Sequence, residues 1–488
     1  MSLTRSLAFN TGVQLIGKVV STALGVAVIG VMTRYLGQEG FGAYSTANAF
    51  LQVFALLLDL GINVTLIALL GEHAGDKNYE KRCVSALFTL RILVAIPLIG
   101  IVAPIIAWFT PYPTIIKLAI IGLSASFIFP SLNQIITGVQ QKHLKMHIAA
   151  VGEILGRMIL LGGLLFARTQ GWGLIPIILF VSLGSFGNFL WCLIFTAPLT
   201  SFRWNWDPVF WKITLKRSWP IGVSIAFNLI YFKADTLILS LVRSQAEVGI
   251  YSAAYRVLEI LVTVPFMYAG ILLPILSQAW AKRDTELFSR LIGRSIDLMW
   301  LLILPMVTGT FLLGPRLLTL VAGPNFAQSG EILRILILAV GMIFFNVIFS
   351  HVVVALNAQR KMIPIYIAVA LITLAGYLLF IPSYGMWAAA WLTVFSEVAI
   401  TGGALFVSRQ QTKIPAGWKV PLAGLAASLV MGVILFGFST LPTLPLILIG
   451  IICYFITAYL FGAIPKSFIR EIISSKTATP SPLEPAGK

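Results

Sequence analysis

Seven basic residues of this chain lie within or at the edges of long apolar segments, where a cation is expensive to place. They are Lys18, Arg91, Lys117, Arg157, Lys233, Arg256 and Arg334. A charge in the middle of a bilayer costs about 3 kcal/mol or more unless it faces water or a partner. Lys18 and Arg91 have no acid within reach on their own helix, so they are the stronger candidates for binding an anion. Arginine suits phosphate in particular, because its planar group makes paired, charge-assisted hydrogen bonds.

Two of the arginines have an acid at helical spacing. Glu153 precedes Arg157 by four residues, and Arg256 precedes Glu259 by three. Each pair can therefore form an ion pair on one helix. For both arginines, a self-contained ion pair and a contact with substrate stay open as alternatives.

Polar side chains also follow helical spacing in the segments near the start of each half of the chain. Asn48 and Gln52 are four residues apart, and Tyr255 and Glu259 are the corresponding pair 207 residues later. Residues at this spacing share one face of a helix. Hydrogen bonding between helices accounts for single polar residues in a membrane, whereas stripes of this length favour a cavity. The predicted substrate-binding residues are Lys18, Asn48, Gln52, Arg91, Arg157, Tyr255 and Arg256.

Three acids in apolar segments, Asp59, Asp235 and Glu397, have no base at helical spacing. A desolvated carboxylate is either protonated or bound to a cation. Either state can couple transport to a gradient of H⁺ or Na⁺. Thr393 lies one helical turn before Glu397, and we predict these four residues as the coupling set. Hydrogen bonding between helices is the alternative role for each acid.

The sequence contains no pattern that predicts an enzyme, a bound cofactor or a metal centre. It has no phosphate-binding loop of the ATPase type, and its four histidines and three cysteines are scattered without ligand spacing. The net charge of +17 would suggest nucleic-acid binding in a soluble protein. Here the excess lies in the connections between apolar segments, so nucleic acid is not an expected partner.

The elements that must position these residues are apolar segments long enough to cross a bilayer. The chain has 488 residues, of which 58% are hydrophobic and 10% charged, a composition typical of a multi-pass membrane protein. Polar breaks predict an all-α protein with about fourteen membrane-spanning helices. They are placed at 8–32, 41–70, 83–108, 113–140, 144–167, 173–198, 218–242, 247–279, 289–313, 328–356, 362–382, 385–408, 419–440 and 443–465.

The basic residues of the connections predict the orientation of these helices. Numbering the connections alternately places 23 of the 34 lysines and arginines on one side and four on the other. The positive-inside rule assigns the basic side to the cytosol. Both termini are then cytosolic.

An internal repeat divides the chain into halves. The stretch Phe41–Ala47 recurs as Val248–Ala254, 207 residues later, and both stretches begin a predicted span. Six spans separate the copies, so the halves have the same orientation and a pseudo-two-fold axis along the membrane normal. The predicted domains are an N-terminal lobe (1–198), a cytosolic linker (199–217), a C-terminal lobe (218–408), two extra spans (409–475) and a disordered cytosolic tail (476–488).

The stretch from Thr33 to Ser45, TRYLGQEGFGAYS, followed by DLG at 59–61, resembles the opening of bacterial polysaccharide flippases of the O-antigen type. These belong to the multidrug/oligosaccharidyl-lipid/polysaccharide exporter superfamily. The spans, the six-plus-six repeat and the predicted termini extend the resemblance over nearly the whole chain. The motif joins the first two spans and does not itself name transport residues.

The resemblance implies a protein that alternates between inward and outward openings. It would lie in the inner membrane of a bacterium, in contact with membrane lipids. Its substrate would be an undecaprenyl-diphosphate-linked oligosaccharide, carried from the inner to the outer leaflet. A polysaccharide polymerase or glycosyltransferases would be its protein partners. Asp235, Thr393 and Glu397 resemble in position a cation site of the superfamily. A cation-coupled multidrug exporter is the first alternative, and a non-transporting scaffold of a polysaccharide-synthesis complex is the second.

Overall fold

The computed structural model describes residues 3–464 apart from 60, 74 and 416. Within that range it describes no side chains for 3–11, 15, 56, 59, 64 and 220–232. The predicted coupling residue Asp59 therefore lies outside the described side chains. The predicted tail at 476–488 lies outside the described residues.

All regular structure in the described part of the chain is helical, which confirms the predicted all-α class. A π-helical turn at Ile96–Val102 joins α3 to α4, and a 3₁₀ turn at Pro324–Phe326 precedes α12. The α-helices are α1 (Leu3–Asp59), α2 (Ile62–Glu72), α3 (Lys77–Ala95), α4 (Ala103–Trp108), α5 (Thr114–Lys142), α6 (Met146–Thr169), α7 (Leu174–Thr196), α8 (Pro208–Val242), α9 (Gln245–Leu261), α10 (Thr263–Ala281), α11 (Thr285–Ala322), α12 (Ala327–Ala355), α13 (Gln359–Arg409), α14 (Lys419–Gly437) and α15 (Thr443–Leu460).

Glycines with positive φ break the two longest helices. Gly37 interrupts α1 with a φ of 67°, and Gly385 interrupts α13 with a φ of 56°. Residues with a Cβ rarely adopt this backbone conformation, so glycine is the residue that permits a sharp change of direction here. Gly37 lies in the predicted connection 33–40, and Gly385 directly follows the predicted connection 383–384. One difference is that the predicted span 41–70 is divided, since α1 ends at Asp59 and α2 begins at Ile62.

Eleven helices in the described part of the chain are long and apolar enough to cross a membrane. The multi-pass membrane character is thereby confirmed. Two of the eleven contain the glycine breaks of α1 and α13, and α8 includes residues whose side chains are not described. The count of fourteen spans stays a prediction.

The chain divides into two compact units. Unit 1 comprises Met1–Leu261, Pro315–Ala339 and Gln359–Gly403. Unit 2 comprises Val262–Gly314, Val340–Ala358 and Ala404–Lys488. The lobes predicted at 1–198 and 218–408 stay a prediction.

The apolar core of unit 1 is built where α5 packs between several neighbours. One buried cluster joins α2, α3 and α5 through Leu66, Leu87 and Ile135. A second joins α1, the π-helical turn and α5 through Leu51, Ile99 and Ile120. These contacts fix α1 and α5 together, and α1 also packs against α6 and α9.

In unit 2 a few polar contacts and aromatic pairs connect the helices. The Tyr454 hydroxyl donates to the Leu301 carbonyl at 2.7 Å, and the Tyr268 and Ser295 hydroxyls are 2.8 Å apart. The rings of Trp300 and Phe345 pack with centroids 4.7 Å apart. These contacts hold α15, α10 and α12 against α11.

Contacts within unit 1 sort its connections into the same two groups as the basic residues do. In the basic group, Arg82 pairs with Asp207 at 2.6 Å, and Lys142 pairs with Glu80 at 2.7 Å. The connections of the other group have their own contacts. The Tyr35 hydroxyl donates to the Trp172 carbonyl at 2.7 Å, and Arg243 donates to the Ser383 carbonyl at 2.9 Å. Which group faces the cytosol stays a prediction from the charge count.

Candidate functional site: a polar pocket between repeated helices

The two repeated segments cross each other closely within unit 1. A Cβ added at Gly42 would lie 1.7 Å from the Gln245 carbonyl oxygen, and one at Gly249 would lie 2.1 Å from that of Gln38. Both pairs are related by the offset of 207 residues that relates the repeats. Small residues let membrane helices approach to backbone contact. The repeat seen in the sequence is therefore also a reciprocal contact between α1 and α9.

A narrow pocket follows this crossing. Its walls on α1 and α9 occupy equivalent positions in the two repeats, and α8 adds two residues. The α1 wall is Ser45, Asn48, Ala49 and Gln52; the α9 wall is Ser252, Tyr255, Arg256 and Glu259; α8 adds Lys233 and Thr236. We call this the central pocket. It brings together four of the seven predicted substrate-binding residues, namely Asn48, Gln52, Tyr255 and Arg256.

The central pocket carries two cations and one carboxylate. Arg256 donates to Glu259 at 2.8 Å on the same helix, as its spacing predicted. Lys233 reaches across from α8 to the other oxygen of Glu259, and its Nζ lies 4.6 Å from the centre of the Tyr255 ring. The described charges of the pocket therefore sum to +1. Sequence analysis missed Lys233 as a pocket residue, because the partner it meets lies on another helix.

A second cationic group lies where α1 packs on α6. Glu153 accepts from Arg157 at 3.0 Å and from the Ser21 hydroxyl at 2.7 Å, and the Lys18 Nζ is 3.7 Å away. Arg157 also donates to the Ser21 carbonyl at 2.7 Å. The predicted Glu153–Arg157 ion pair is present, and Lys18 shares its acid. All three charged side chains are between 33% and 43% exposed, so anions can reach them.

Arg91 occupies a different environment. It is 1% exposed and donates to the Leu58 carbonyl at 2.8 Å, to Gln134 at 3.0 Å and to the Ser131 hydroxyl at 3.3 Å. It thus ties α3 to α1 and α5. The structure does not bring Arg91 to the central pocket, and its role as a substrate contact stays a prediction.

Two of the four predicted coupling residues, Asp235 and Thr393, lie in a buried group around the Tyr251 hydroxyl. Asp235 is fully buried and accepts hydrogen bonds from Tyr251 and, at 3.1 Å, from the Thr236 hydroxyl. The Tyr251 hydroxyl is also 3.4 Å from that of Thr393, as is the Tyr377 hydroxyl. Asp235 and Thr393, 158 residues apart in sequence, are therefore bridged by one phenol.

Glu397 lies one turn beyond Thr393 on α13 and is 2% exposed. Among the described residues, its Oε2 atom has no hydrogen-bond partner. No group of three or more His, Cys, Asp or Glu side chains that could hold a metal occurs in the described part of the chain. A monovalent cation here would have to bind the carboxylate of Asp235 together with hydroxyl oxygens. Sequence analysis missed Tyr251 and Tyr377, although Tyr251 is the repeat equivalent of Tyr44.

The fold and the pocket define a helical membrane transporter, and comparison with known families places the chain within that class. A family model described as "Polysaccharide biosynthesis protein" matches residues 7–280, and a MatE model matches residues 220–381. The first match covers more than half of the chain, so the protein belongs to the polysaccharide biosynthesis protein family. This confirms the resemblance recognised in the opening motif.

Curated relatives are similar over part of their length. A "Probable flippase AglR" from Haloferax volcanii is 26% identical over 163 residues, which cover 32% of this chain and 31% of the relative. A "Putative O-antigen transporter" from Shigella dysenteriae is 25% identical over 193 residues, 38% of this chain and 47% of the relative. The chain thus spans about a third and about half of the relatives it matches.

Solved structures show the same fold. "Lipid II flippase MurJ, inward closed conformation" has a TM-score of 0.77 at 16% identity, covering 94% of this chain and 99% of that one. An inward-facing multidrug resistance MATE family transporter of the MOP superfamily has a TM-score of 0.68 at 16% identity, covering 80% and 94%. These similarities confirm the transporter fold predicted from the sequence.

Proposed function

We propose that this protein is a flippase that moves an undecaprenyl-diphosphate-linked oligosaccharide from the inner to the outer leaflet by alternating access. Membership of the polysaccharide biosynthesis family and the names of the relatives support transport of a lipid-linked oligosaccharide. The observation that carries the proposal is the composition of the central pocket, in which two cations outnumber one acid among amide and hydroxyl groups.

The pocket residues divide naturally between the two parts of such a substrate. Lys233 and Arg256 would bind the diphosphate, because charge-assisted hydrogen bonds to phosphate are the strongest that these groups make. Asn48, Gln52 and Tyr255 would meet sugar hydroxyls, which need both donors and acceptors. Lys18 and Arg157 would add a second anion contact. The narrow pocket would have to widen, as alternating access requires.

Glu259 gives the central pocket an internal anion. It neutralises part of the charge of Lys233 and Arg256, which limits the cost of keeping two cations at this depth. An incoming diphosphate would take over these contacts from Glu259. Binding is then an exchange of one anion for another, and the departure of the substrate restores the original ion pairs.

A multidrug exporter for lipophilic cations is the less favoured function. Such a substrate would be repelled by the excess positive charge of the central pocket. The group around Glu153 has the same excess, with Lys18 and Arg157 against one acid. A scaffold without transport activity would have no need for charged residues in a pocket. A polymerase or glycosyltransferases would be partners of either a flippase or a scaffold.

For the coupling ion, the buried group of Asp235, Tyr251 and Thr393 is the proposed site, with Glu397 one turn away. Asp235 could take up a proton, or a sodium ion could lie among the carboxylate and hydroxyl oxygens, since hard cations prefer oxygen ligands. Binding either ion would neutralise a buried carboxylate. The group lies on α8, α9 and α13 and shares α8 and α9 with the central pocket, which gives it a direct mechanical connection to the substrate.

The test is leaflet accessibility of a labelled undecaprenyl-diphosphate oligosaccharide in proteoliposomes, under H⁺ and Na⁺ gradients. The key variant is Arg256→Gln. Its matched control is Arg334→Gln, since Arg334 forms the same kind of i,i+3 ion pair with Glu331, at 2.7 Å, outside the pocket. A flippase predicts movement that depends on the protein, weakened by Arg256→Gln and unchanged by Arg334→Gln. Equal activity of both variants would remove the central pocket from the proposal, and no movement with the wild type would favour a scaffold.

A further inference from the structure

The connection between α7 and α8 is folded tightly against α3. The Ser85 hydroxyl donates to the Ser201 carbonyl at 2.7 Å and accepts from the Arg203 N–H at 3.3 Å. The Asn205 N–H donates to the Thr89 hydroxyl at 3.0 Å. Three hydrogen bonds to two successive turns of α3 therefore hold this segment in place, and it forms one wall of the space beside it.

An open pocket of about 390 Å³ lies between this segment and the start of α3. It shares no residue with the central pocket. Its lining is polar and basic, and consists of Lys81, Arg82, Ser85, Ser201, Arg203, Trp204 and Asn205. We call it the linker pocket.

The linker pocket has an excess of positive charge. Arg82 is neutralised by Asp207, 2.6 Å away, in a connection between helices. Burial raises the pKa of Asp207, but hydrogen bonds from the Phe210 N–H and from Arg82, with the charge of Arg82, outweigh it and lower the pKa below its usual range. Asp207 therefore stays ionised at neutral pH. Among the residues that the structure describes, no acid lines the pocket to balance Lys81 and Arg203.

Large apolar side chains next to the linker pocket are exposed. Trp204 and Trp206 are 62% and 63% exposed, and Val209 and Ile213 on the first turns of α8 are exposed as well. Tryptophan favours the boundary between water and hydrocarbon, where its ring meets both. Exposed side chains of this kind are typical of the headgroup region of a membrane, where the cations of the pocket would face phosphates.

We propose that the linker pocket binds the headgroup of an anionic phospholipid. Lys81 and Arg203 bind the phosphate, the serine hydroxyls and Asn205 bind the polar headgroup, and Trp204 and Trp206 lie against the upper part of the acyl chains. Basic residues near an anionic membrane surface are attracted to it, and a shaped pocket adds hydrogen bonds to this attraction. The bound lipid anchors the linker to one leaflet. The site does not depend on the proposed flippase activity.

The test counts lipids retained by the full-length protein in mixed micelles of phosphatidylglycerol and phosphatidylcholine, by native mass spectrometry. The variant is Lys81→Gln with Arg203→Gln. Its control is Lys282→Gln with Arg283→Gln, which removes the same charge from an exposed turn of unit 2. The linker pocket predicts that retained phosphatidylglycerol falls roughly tenfold in the first variant only. Phosphatidylcholine is expected to be unaffected.

Two further sets of variants test for a folding defect and identify the ligand. The conservative pair Lys81→Arg with Arg203→Lys keeps the charge and should retain phosphatidylglycerol. Trp204→Ala should weaken retention more than Trp418→Ala, which removes a tryptophan of unit 2 that is 72% exposed. If the two glutamine variants lose equal amounts of phosphatidylglycerol, the effect comes from general surface charge, and the proposal is overturned. Displacement of the lipid by inorganic pyrophosphate, without any preference for phosphatidylglycerol, would overturn it in favour of a free phosphate site.

Discussion

Gly42 and Gly249 face each other at the crossing of α1 and α9. A Cβ on Gly42 would lie 3.0 Å from the Gly249 nitrogen, and a Cβ on Gly249 would lie 3.1 Å from the Gly42 nitrogen. Each glycine meets the other at nearly the same distance, as a two-fold axis between the repeats requires. Because the central pocket begins one turn further along both helices, this crossing sets its width.

Replacing either glycine by alanine should therefore destabilise unit 1. The new methyl group would clash with backbone that has no room to shift, and overpacking of this kind costs about 1–3 kcal/mol. Melting temperature in detergent measures the effect of Gly42→Ala and Gly249→Ala. Gly402→Ala in α13 is the matched control, since no atom lies near a Cβ there, and its melting temperature should stay level or rise. If all three variants are as stable as the wild type, α1 and α9 can move apart at this crossing without loss of stability.

Much of the central pocket could be predicted from sequence because the repeat aligns its two walls. Asn48 and Tyr255 are repeat equivalents, and helical spacing alone places Gln52 and Glu259 on the same faces. The third wall could not be predicted in this way. Lys233 on α8 meets Glu259 on α9, and a contact between two helices is not contained in the spacing along either one.

Contacts between helices that are distant in sequence also explain where the other charged candidates, Lys18 and Arg91, lie in the structure. Lys18 was isolated on its own helix, yet it shares Glu153, 135 residues away in sequence. Arg91 had no acid in helical reach, and its described partners include a carbonyl and a neutral amide on other helices. Spacing along one helix reveals pairs such as Arg256 with Glu259, but it contains no information on partners across an interface.

Glu259→Gln tests whether substrate replaces an internal anion. The substitution removes the competing carboxylate and raises the described charge of the pocket from +1 to +2. Affinity for a diphosphate-linked oligosaccharide should rise by about tenfold, equivalent to about 1.4 kcal/mol, while release and turnover slow. Binding titrations at several salt concentrations measure this, with Glu331→Gln as the control for loss of an i,i+3 partner. Weaker binding in Glu259→Gln would mean that the acid orients the cations and does not compete.

Tyr251→Phe tests the proposed coupling site. It removes the hydroxyl that bridges Asp235 and Thr393 but keeps the ring, so the packing of α9 should survive. Loss of one hydrogen bond costs about 1 kcal/mol of stability. Transport in proteoliposomes should lose most of its dependence on the ion gradient, as it should in Asp235→Asn.

The control for this experiment is Tyr454→Phe, which removes a hydroxyl that donates to the Leu301 carbonyl at 2.7 Å in unit 2. It should lower stability by a similar amount and leave the response to the gradient intact. If Tyr251→Phe behaves in the same way as this control, the hydroxyl serves packing and the coupling ion binds elsewhere.

Arg91→Ala separates a structural role from a substrate role at the most buried cation. Its hydrogen bonds to Leu58, Ser131 and Gln134 join three helices, so truncation leaves several buried polar groups without a partner. Each such group costs about 1–3 kcal/mol, and we expect a large fall in melting temperature and in yield. Arg91→Lys keeps the charge with fewer donors, and its melting temperature should lie between those of the wild type and Arg91→Ala. If Arg91→Ala melts at the wild-type temperature but no longer binds the lipid-linked oligosaccharide, Arg91 is a substrate contact. The substrate would then reach Arg91 in a conformation where α3 has moved away from α5.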